Sequence, residues 1–373
     1  MSAHKKLLKN QAALEMPPRI DWEWPLVTII MPIRNEARFI NSSVSSVLAQ
    51  EYPRERLEVI LLDGMSTDGT REAVEAVLND LNNPKYCSSN KRVDPVKVRV
   101  VDNEGRIVPT GLNKGIAIAQ GEIVVRVDAH TVLSPNYVAQ SVRSLKRTGA
   151  DVVGGLMTPV GKGLIGETIA LAHGLRFGLG GALFHRATQE TEADTVYMGV
   201  FRRDVFERVG LFNESLVRNQ DIELNGRVRQ SGGLVILSPE IRSLYFCRNT
   251  LRALWTQNYK NGLWVPRTIS LSPTSLSYRH FVPLAFVLAL VFSGLVAFAS
   301  TIGSVAFMLI VGSYLLCSLV SSISAARTNG WRYVLTLPIV FLFLHASYGI
   351  GSLVGMVKIV YDWLRPKLDS KSD

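Results

Sequence analysis

No Asp, Glu, Lys or Arg occurs from Phe281 to Ala326, and a second uncharged run extends from Tyr333 to Val357. A helix needs about 20 apolar residues to cross the hydrocarbon core of a bilayer. The first run is long enough for two crossings, broken near Ser300-Thr301-Ile302-Gly303, and the second run is long enough for a third. Buried helices of water-soluble proteins rarely stay uncharged over such lengths. The expected spans are residues 281–299, 303–325 and 333–357, inside a membrane region 271–373. Pro338, Gly349, Gly351 and Gly355 are places where the third run can kink or split. Arg252, Lys260, Arg267 and Arg279 precede the first span, and Arg327 and Arg332 separate the second from the third. Both sets are cytoplasmic if the first two spans form a hairpin. Arg365 and Lys367 then fall on the far side if the third run crosses, so that run either crosses or re-enters. The expectation is an integral protein of the cytoplasmic (inner) membrane, with the bulk of the chain on the cytoplasmic side. At the start, Lys5, Lys6 and Lys9 surround only two leucines, too short a core for a secretory signal. Residues 1–25 read as a tail, either solvated or lying on anionic lipid.

The remaining 270 or so residues have room for one or two domains of roughly 100–200 residues. Hydrophobic residues are 47 % of the chain and charged residues 19 %, which excludes a disordered chain, a coiled coil or a collagen-like repeat. Lys and Arg number 41 against 31 Asp and Glu, a net +10 that calls for an acidic partner: nucleic acid, anionic lipid or a phosphorylated substrate. Cys87, Cys247 and Cys317 are scattered and form no CxxC pair, which argues against a disulfide framework or a zinc site.

Before the membrane region, short apolar runs alternate with helical patterns. Leu26–Met31 is a continuous apolar run, as in a strand buried on both faces. Leu57–Leu62 follows about thirty residues later, the length of one strand–helix–strand unit. The spacing predicts helices over Ala37–Gln50 and Thr70–Leu81, and further strands over Val96–Val101 and Glu122–Val127. The pattern is an α/β sheet, parallel in its first half. Ligands of such sheets bind at the carboxyl ends of the strands. Those ends carry Pro32-Ile33-Arg34-Asn35-Glu36, Asp63-Gly64-Met65-Ser66-Thr67-Asp68 and Asp128-Ala129-His130-Thr131. Three polar loops at one edge, two with acidic groups suited to a base, a ribose or a metal, point to a ligand rather than to folding alone.

Four segments now stand in order: VTIIMPIRNE, VILLDGMSTDGT, GLNKGIAIAQGEIVVRVDAHT and VGLFNESLVRNQDIELNGRVRQSGG. In this order and spacing the sequence resembles family 2 glycosyltransferases of the GT-A fold, over residues 26–270. The VRVDAHT segment and the apolar C-terminus look most like the succinoglycan-biosynthesis type of glucosyltransferase. The resemblance implies a Rossmann-like, mostly parallel catalytic domain followed by transmembrane helices. It also implies roles. Pro32, Arg34 and Glu36 would border the nucleotide. Asp63 would take the imide N–H of a uracil, or hold an Asx-type turn. Many relatives have a second acid after this Asp, where this chain has Gly64. Asn113 and Lys114 would sit near the nucleotide or its diphosphate.

Asp128 and His130 occupy the family's metal-binding Asp-x-Asp position. Residues i and i+2 of an extended segment share a side, so both can reach one ion that also holds the diphosphate. Imidazole in place of the second carboxylate tilts the preference from Mg²⁺ toward Mn²⁺; His130 otherwise contacts a phosphate oxygen. Asp221 matches the family's general base, with Gln220 where relatives have Glu. It would accept the proton of the acceptor hydroxyl; its plainer reading is a helix N-cap. On the acceptor or phosphate side the resemblance places Gly199, Arg227, Gln257, Lys260 and Trp264. The last three only loosely match the Gln-x-x-Arg-Trp of processive synthases, since Lys replaces Arg and the Trp is displaced. Residues 161–184 are glycine-rich and apolar, a core helix or a flap toward the bilayer. His345 inside the third apolar run is either functional or a helix-packing residue.

What the resemblance implies is inverting transfer from a nucleotide sugar, a UDP-sugar, to a lipid-linked (polyprenyl-diphosphate) saccharide in exopolysaccharide or glycan assembly. The partners would be those two substrates, a divalent Mn²⁺ or Mg²⁺, and membrane lipids, with no nucleic acid. The competing readings are a processive polysaccharide synthase, a polyprenyl-phosphate glycosyltransferase and an inactive nucleotide-binding membrane protein.

Overall fold

The computed structural model describes residues 23–81, 96–180 and 187–369. The Lys5–Lys9 tail and Cys87 lie outside these residues. In chain order the first half runs β1 (Val27–Ile33), α1 (Ile40–Leu48), β2 (Leu57–Asp63), α2 (Thr70–Leu81), β3 (Lys97–Asp102), α3 (Val108–Ile118), β4 (Ile123–Arg126), β5 (Thr131–Leu133) and α4 (Tyr137–Thr148). β6 (Val152–Val160), α5 (Gly163–Gly174), α6 (Arg176–Leu179), β7 (Thr191–Glu192), β8 (Val200–Arg202), α7 (Asp204–Val209), α8 (Gln220–Gln230) and β9 (Val235–Phe246) follow. The chain ends in α9 (Leu251–Leu271), α10 (Val282–Ala297), α11 (Thr301–Asn329) and α12 (Thr336–Asp369).

One sheet has the order β3-β2-β1-β4-β8-β6-β9-β5, with β7 also paired to β9. β1 is central and pairs in parallel with β2 and β4, which is why its apolar run is continuous. β2 pairs in parallel with β3 at the edge. The direction reverses at β8, antiparallel to both β4 and β6, and β6 then pairs in parallel with β9. The α/β, mostly parallel architecture read from the sequence is therefore present. α1 begins later than its periodicity predicts, for a local reason. The Glu36 N–H donates to Thr70 Oγ1 and the Ala37 N–H to Asp68 Oδ2, tying this stretch to the β2–α2 loop, and a turn in which Phe39 N and Ile40 N both donate to the Glu36 carbonyl precedes the helix.

Two apolar cores cover the faces of the sheet. One packs Val44, Val47, Tyr137 and Leu145 of α1 and α4 against β1, β2 and β4. The other packs Leu112, Phe206, Leu224 and Val228 of α3, α7 and α8 against the opposite face. A third core joins the sheet domain to the C-terminal helices: Ile169 and Ala172 of α5, Tyr245 of β9, Cys247 just after it, and Leu254 of α9 meet Tyr333, Leu337, Phe341 and Leu344.

Three C-terminal helices, Tyr278–Ala297, Thr301–Asn329 and Thr336–Leu364, are long and apolar enough to cross a membrane. They mark the chain as membrane-associated. Pro338 falls in the first turn of α12, where it is tolerated, and α12 continues unbroken past Gly349, Gly351 and Gly355. A Cβ on Gly349 would overlap the Pro283 carbonyl, so at least this glycine serves close helix packing rather than a kink.

Candidate active site

A cavity of about 920 Å³ opens at the carboxyl ends of β1, β2, β3 and β4 and runs on to the C-terminal helices. Its floor is Arg126, the last residue of β4, whose side chain is only 7 % exposed. Nε and Nη2 of Arg126 donate to Asp128 Oδ1 at 3.2 and 3.0 Å. Its Nη1 lies 3.8 Å from Asp221 Oδ2 and has no hydrogen-bond partner. One guanidinium thus holds two carboxylates that are 93 residues apart in sequence. Burial alone would disfavour the Arg126 charge, but Asp128 and then Asp221 outweigh it and raise its pKa above the ordinary arginine value. Burial likewise works against the Asp128 carboxylate, and Arg126 followed by His130 reverses this, holding it below the usual carboxylate range.

The loop Arg218–Asp221 is shaped by Asn219, which takes a left-handed φ of 62° just before α8. Such a conformation costs little for Asn and marks a position the surroundings over-determine. It sets Asp221 in the first turn of α8, where a carboxylate is favoured by the helix dipole, and the Ile222 N–H donates to Asp221 Oδ1 at 3.0 Å. Asn35 and Arg106, also at positive φ, belong to the same ring of loops.

His130 Nδ1 is 3.2 Å from Glu36 Oε1. With Nδ1 donating to that carboxylate, Nε2 keeps the lone pair a metal ligand needs, the usual arrangement behind a ligating imidazole. Among the described residues no group of three or more His, Cys, Asp and Glu could hold a metal by itself. Asp128 and His130 still fit an ion that takes its other ligands from phosphate oxygens and water, as Mg²⁺ in nucleotide sites does.

Pro32, Arg34, Glu36, Asp128, His130, Asp221 and Gln257 all line this cavity. Arg34 Nη1 donates to the Arg106 carbonyl, bridging the loops after β1 and β3. Asp63 is buried behind the lining residue Gly64, and its Oδ1 accepts from Ser66 N and Oγ at 3.0 and 2.7 Å. Asn113 is spent on joining α3 to Phe212 and Glu214, and Lys114 on Asp102 and Glu104. Gly199 lies behind the floor, where its carbonyl accepts from Arg126 N and a Cβ would strike the Phe201 ring. Arg227 is bound to Glu223 and to the Val209 and Leu211 carbonyls, away from the cavity. Lys260 projects from α9 in the open, and neither it nor Trp264 lines the cavity.

Sequence reasoning passed over Arg126, Arg218 and Arg248. Arg126 had a signal: an arginine inside the apolar strand EIVVRV must be buried, and a buried charge needs partners. Arg218 donates to Asn261 Oδ1 at 2.7 Å and Arg248 to Gln257 Oε1 at 3.2 Å. Among the described residues neither has a carboxylate within 4 Å. Burial pushes the Arg218 pKa down, and the nearby Arg248 charge adds to this. Beyond these arginines the lining turns apolar with Phe177, Phe286, Tyr314 and Leu344. His345 bridges the Tyr314 hydroxyl (3.0 Å) and the Gly178 carbonyl (3.1 Å), so helix packing accounts for both its nitrogens. In its described part, 161–180, the apolar segment read as core or flap contributes both core and lining, with Ile169 and Ala172 of α5 buried and α6 facing the cavity; residues 181–184 lie outside the described residues.

Residues 28–210 match the family described as Glycosyl transferase family 2. These residues form a family 2 glycosyltransferase domain. It is similar to the succinoglycan biosynthesis protein ExoA of Rhizobium meliloti, 27 % identical over 72 % of this chain and 77 % of that protein. It is also similar to the dolichyl N-acetyl-alpha-D-glucosaminyl phosphate 3-beta-D-2,3-diacetamido-2,3-dideoxy-beta-D-glucuronosyltransferase of Methanococcus voltae, 21 % identical over 89 % of this chain and 97 % of that protein. Among solved structures, the mannosyltransferase PcManGT of Pyrobaculum calidifontis, in complex with GDP-Man and Mn²⁺, shares the fold of the glycosyltransferase with a TM-score of 0.57. Identity there is 20 %, over 94 % of this chain and 93 % of that one. The donor class of a family 2 enzyme is a nucleotide sugar.

Proposed function

We propose that the enzyme performs inverting transfer of a sugar from a nucleotide sugar, taken as UDP-linked, to a lipid-linked saccharide carried on a polyprenyl diphosphate. The setting is exopolysaccharide or glycan assembly at the cytoplasmic face of the inner membrane. One observation carries this reading: Arg126 holds Asp128 and Asp221 together on the floor of a cavity that continues to the apolar helices. The names of the Rhizobium meliloti and Methanococcus voltae relatives, one a succinoglycan biosynthesis protein and the other acting on a dolichyl-linked sugar, support the acceptor class.

Pro32, Arg34 and Glu36 face the base and ribose, and Asp63 fixes the neighbouring turn. Asp128 and His130 would hold a divalent ion, a choice supported by the Mn²⁺ in the Pyrobaculum calidifontis structure. When bound, that ion offsets the charge that grows on the departing diphosphate. Asp221 accepts the proton of the acceptor hydroxyl as its oxygen attacks the anomeric carbon from the face opposite the leaving group. Arg126 keeps the Asp128 and Asp221 carboxylates side by side. Arg218 and Arg248, positive and without a carboxylate within 4 Å among the described residues, receive the phosphates of the acceptor, and the Phe177–Phe286–Tyr314 corridor receives the start of its lipid.

The test is a screen of UDP- and GDP-linked sugars with extracted lipid-linked saccharides, with and without Mn²⁺. Asp221→Asn is expected to lower transfer by about 10²- to 10⁴-fold while donor binding, read by equilibrium titration of the nucleotide sugar, is retained. Full activity of Asp221→Asn would remove the base from this scheme.

A further inference from the structure

α9 and α12 lie side by side and run in the same direction, and glycine lets their backbones touch. A Cβ on Gly262 would overlap the Tyr348 carbonyl, one on Gly351 the Tyr259 carbonyl, and one on Gly355 the Leu263 carbonyl. Trp255 packs edge-on against Phe343, 5.6 Å between ring centroids. The α12 backbone from Phe343 to Gly355 is therefore at the same level as α9 from Trp255 to Pro266.

α9 is no lipid-facing helix. Arg252, Lys260 and Arg267 are exposed along it. The apolar stretch of α12, Thr336–Leu364, has 29 residues, and Gly351 stands near its middle. If this stretch crossed a bilayer, Lys260 would be carried to the midplane, because its neighbour Tyr259 is in contact with Gly351. Arg267, next to Pro266 and so level with Gly355, would follow. An exposed ammonium or guanidinium at that depth is among the costliest groups a membrane can hold, and from the midplane the side chain is too short to snorkel out.

The α10–α11 hairpin has none of these obstacles. No charge occurs from Phe281 to Ala326. Its two helices pack on each other at Gly303 against Val296. Only 11 % of each apolar window is buried in protein, against 44 % in α12.

We propose that only the α10–α11 hairpin crosses the bilayer. α9 and the C-terminal half of α12 then lie along the membrane surface on the side of the catalytic domain. The partner is the lipid surface itself. Exposed Val357, Val360 and Leu364 offer apolar area to the headgroup boundary. Tyr361 and Trp363 are the aromatic types that settle at that level. Exposed Lys260, Arg267 and Lys358 meet anionic headgroups. Every basic residue that flanks the apolar helices, from Arg252 to Lys367, then falls on one side, and the charge conflict created by a third crossing disappears. This inference stands whether or not the sugar-transfer scheme holds.

The tests use the full chain in sealed inverted membrane vesicles, which expose the catalytic face. An epitope tag at the C-terminus of the otherwise unaltered chain is expected to be removed by added protease; full protection of the tag would overturn the proposal. Single cysteines are then placed at Ser42, Ser300 and Ser372 in a chain lacking Cys87, Cys247 and Cys317, and treated with a membrane-impermeant maleimide. Ser42→Cys and Ser372→Cys are expected to react in inverted vesicles, and Ser300→Cys only after the membrane is opened with detergent. Ser372→Cys behaving like Ser300→Cys, or all three reacting in sealed vesicles, would overturn it.

Discussion

At the strand end of the cavity Arg126 holds two carboxylates; toward the membrane end Arg218 and Arg248 have none within 4 Å among the described residues. The two carboxylates of the first end have a cationic partner before any substrate arrives, and their geometry is therefore part of the fold. The second carries positive charge that an incoming anion would neutralise, and its geometry is part of binding. Substitutions at the two ends should fail in different ways. Removing Arg126 leaves Asp128 and Asp221 facing each other without their cation. Loss of one partner from a buried ion pair costs about 3–5 kcal/mol, and Asp221 is open enough to solvent that roughly 2–3 kcal/mol is expected here. Arg126→Gln should therefore lower the thermal midpoint of the detergent-solubilised enzyme and abolish transfer together. A variant that keeps its midpoint but loses transfer would break the claim that this end is built into the fold.

The same pair sets a pH dependence. The Asp128 carboxylate is held below its ordinary range by Arg126 and His130 despite burial. A depressed carboxylate contributes stability that is complete above its unfolded value, about 3.9, and is lost as pH falls through the lower folded value. The wild-type midpoint should hold from neutral pH to about 4 and fall below it. Arg126→Gln should show a flatter acid limb, because the partner that depresses Asp128 is gone.

Arg218→Gln and Arg248→Gln are the opposite case. Each removes a charge that repels its neighbour, so neither should destabilise the chain. A hydrogen bond to a charged group contributes about 1.5–3 kcal/mol, so the KM for the lipid-linked acceptor should rise by roughly 10- to 100-fold with donor binding unchanged. Loss of donor binding in Arg218→Gln would move this end of the cavity to the donor side.

The contrast also explains what could be read from the sequence. Strand ends are contiguous in the chain, so Pro32-Ile33-Arg34-Asn35-Glu36 and Asp128-Ala129-His130 announce themselves as loops closing apolar runs. Asp128 and Asp221 could be named individually. Their meeting on Arg126 could not, because it depends on β8 reversing the sheet beside β4. The membrane end is drawn from Phe177, Arg218, Arg248, Phe286 and Tyr314, five elements with no shared motif. Arg227 and Lys260 looked like better phosphate contacts, since charge on a helix carries no sign of which face is covered. Arg227 went to carbonyls at and just after the end of α7, and Lys260 to the open side of α9.

Between the two ends lies the core that docks the sheet domain to α12, and two smaller effects probe it. Gly262→Ala places a methyl group on the Tyr348 carbonyl and should cost about 1–3 kcal/mol, the usual range for overpacking. Cys247, within the same core, reports the docking without strain. Burial pushes its thiol up to about 12, so at pH 8 roughly one molecule in 10⁴ carries the reactive thiolate. Native enzyme treated with iodoacetamide should therefore show Cys247 unmodified by mass spectrometry while a surface reference, Ser42→Cys, is fully alkylated. In Gly262→Ala the Cys247 rate should rise, because a strained α9–α12 contact loosens the core that covers the thiol. Equal rates at Cys247 and at the surface reference in enzyme carrying only the Ser42→Cys change would mean that the sheet domain and the C-terminal helices do not share this core.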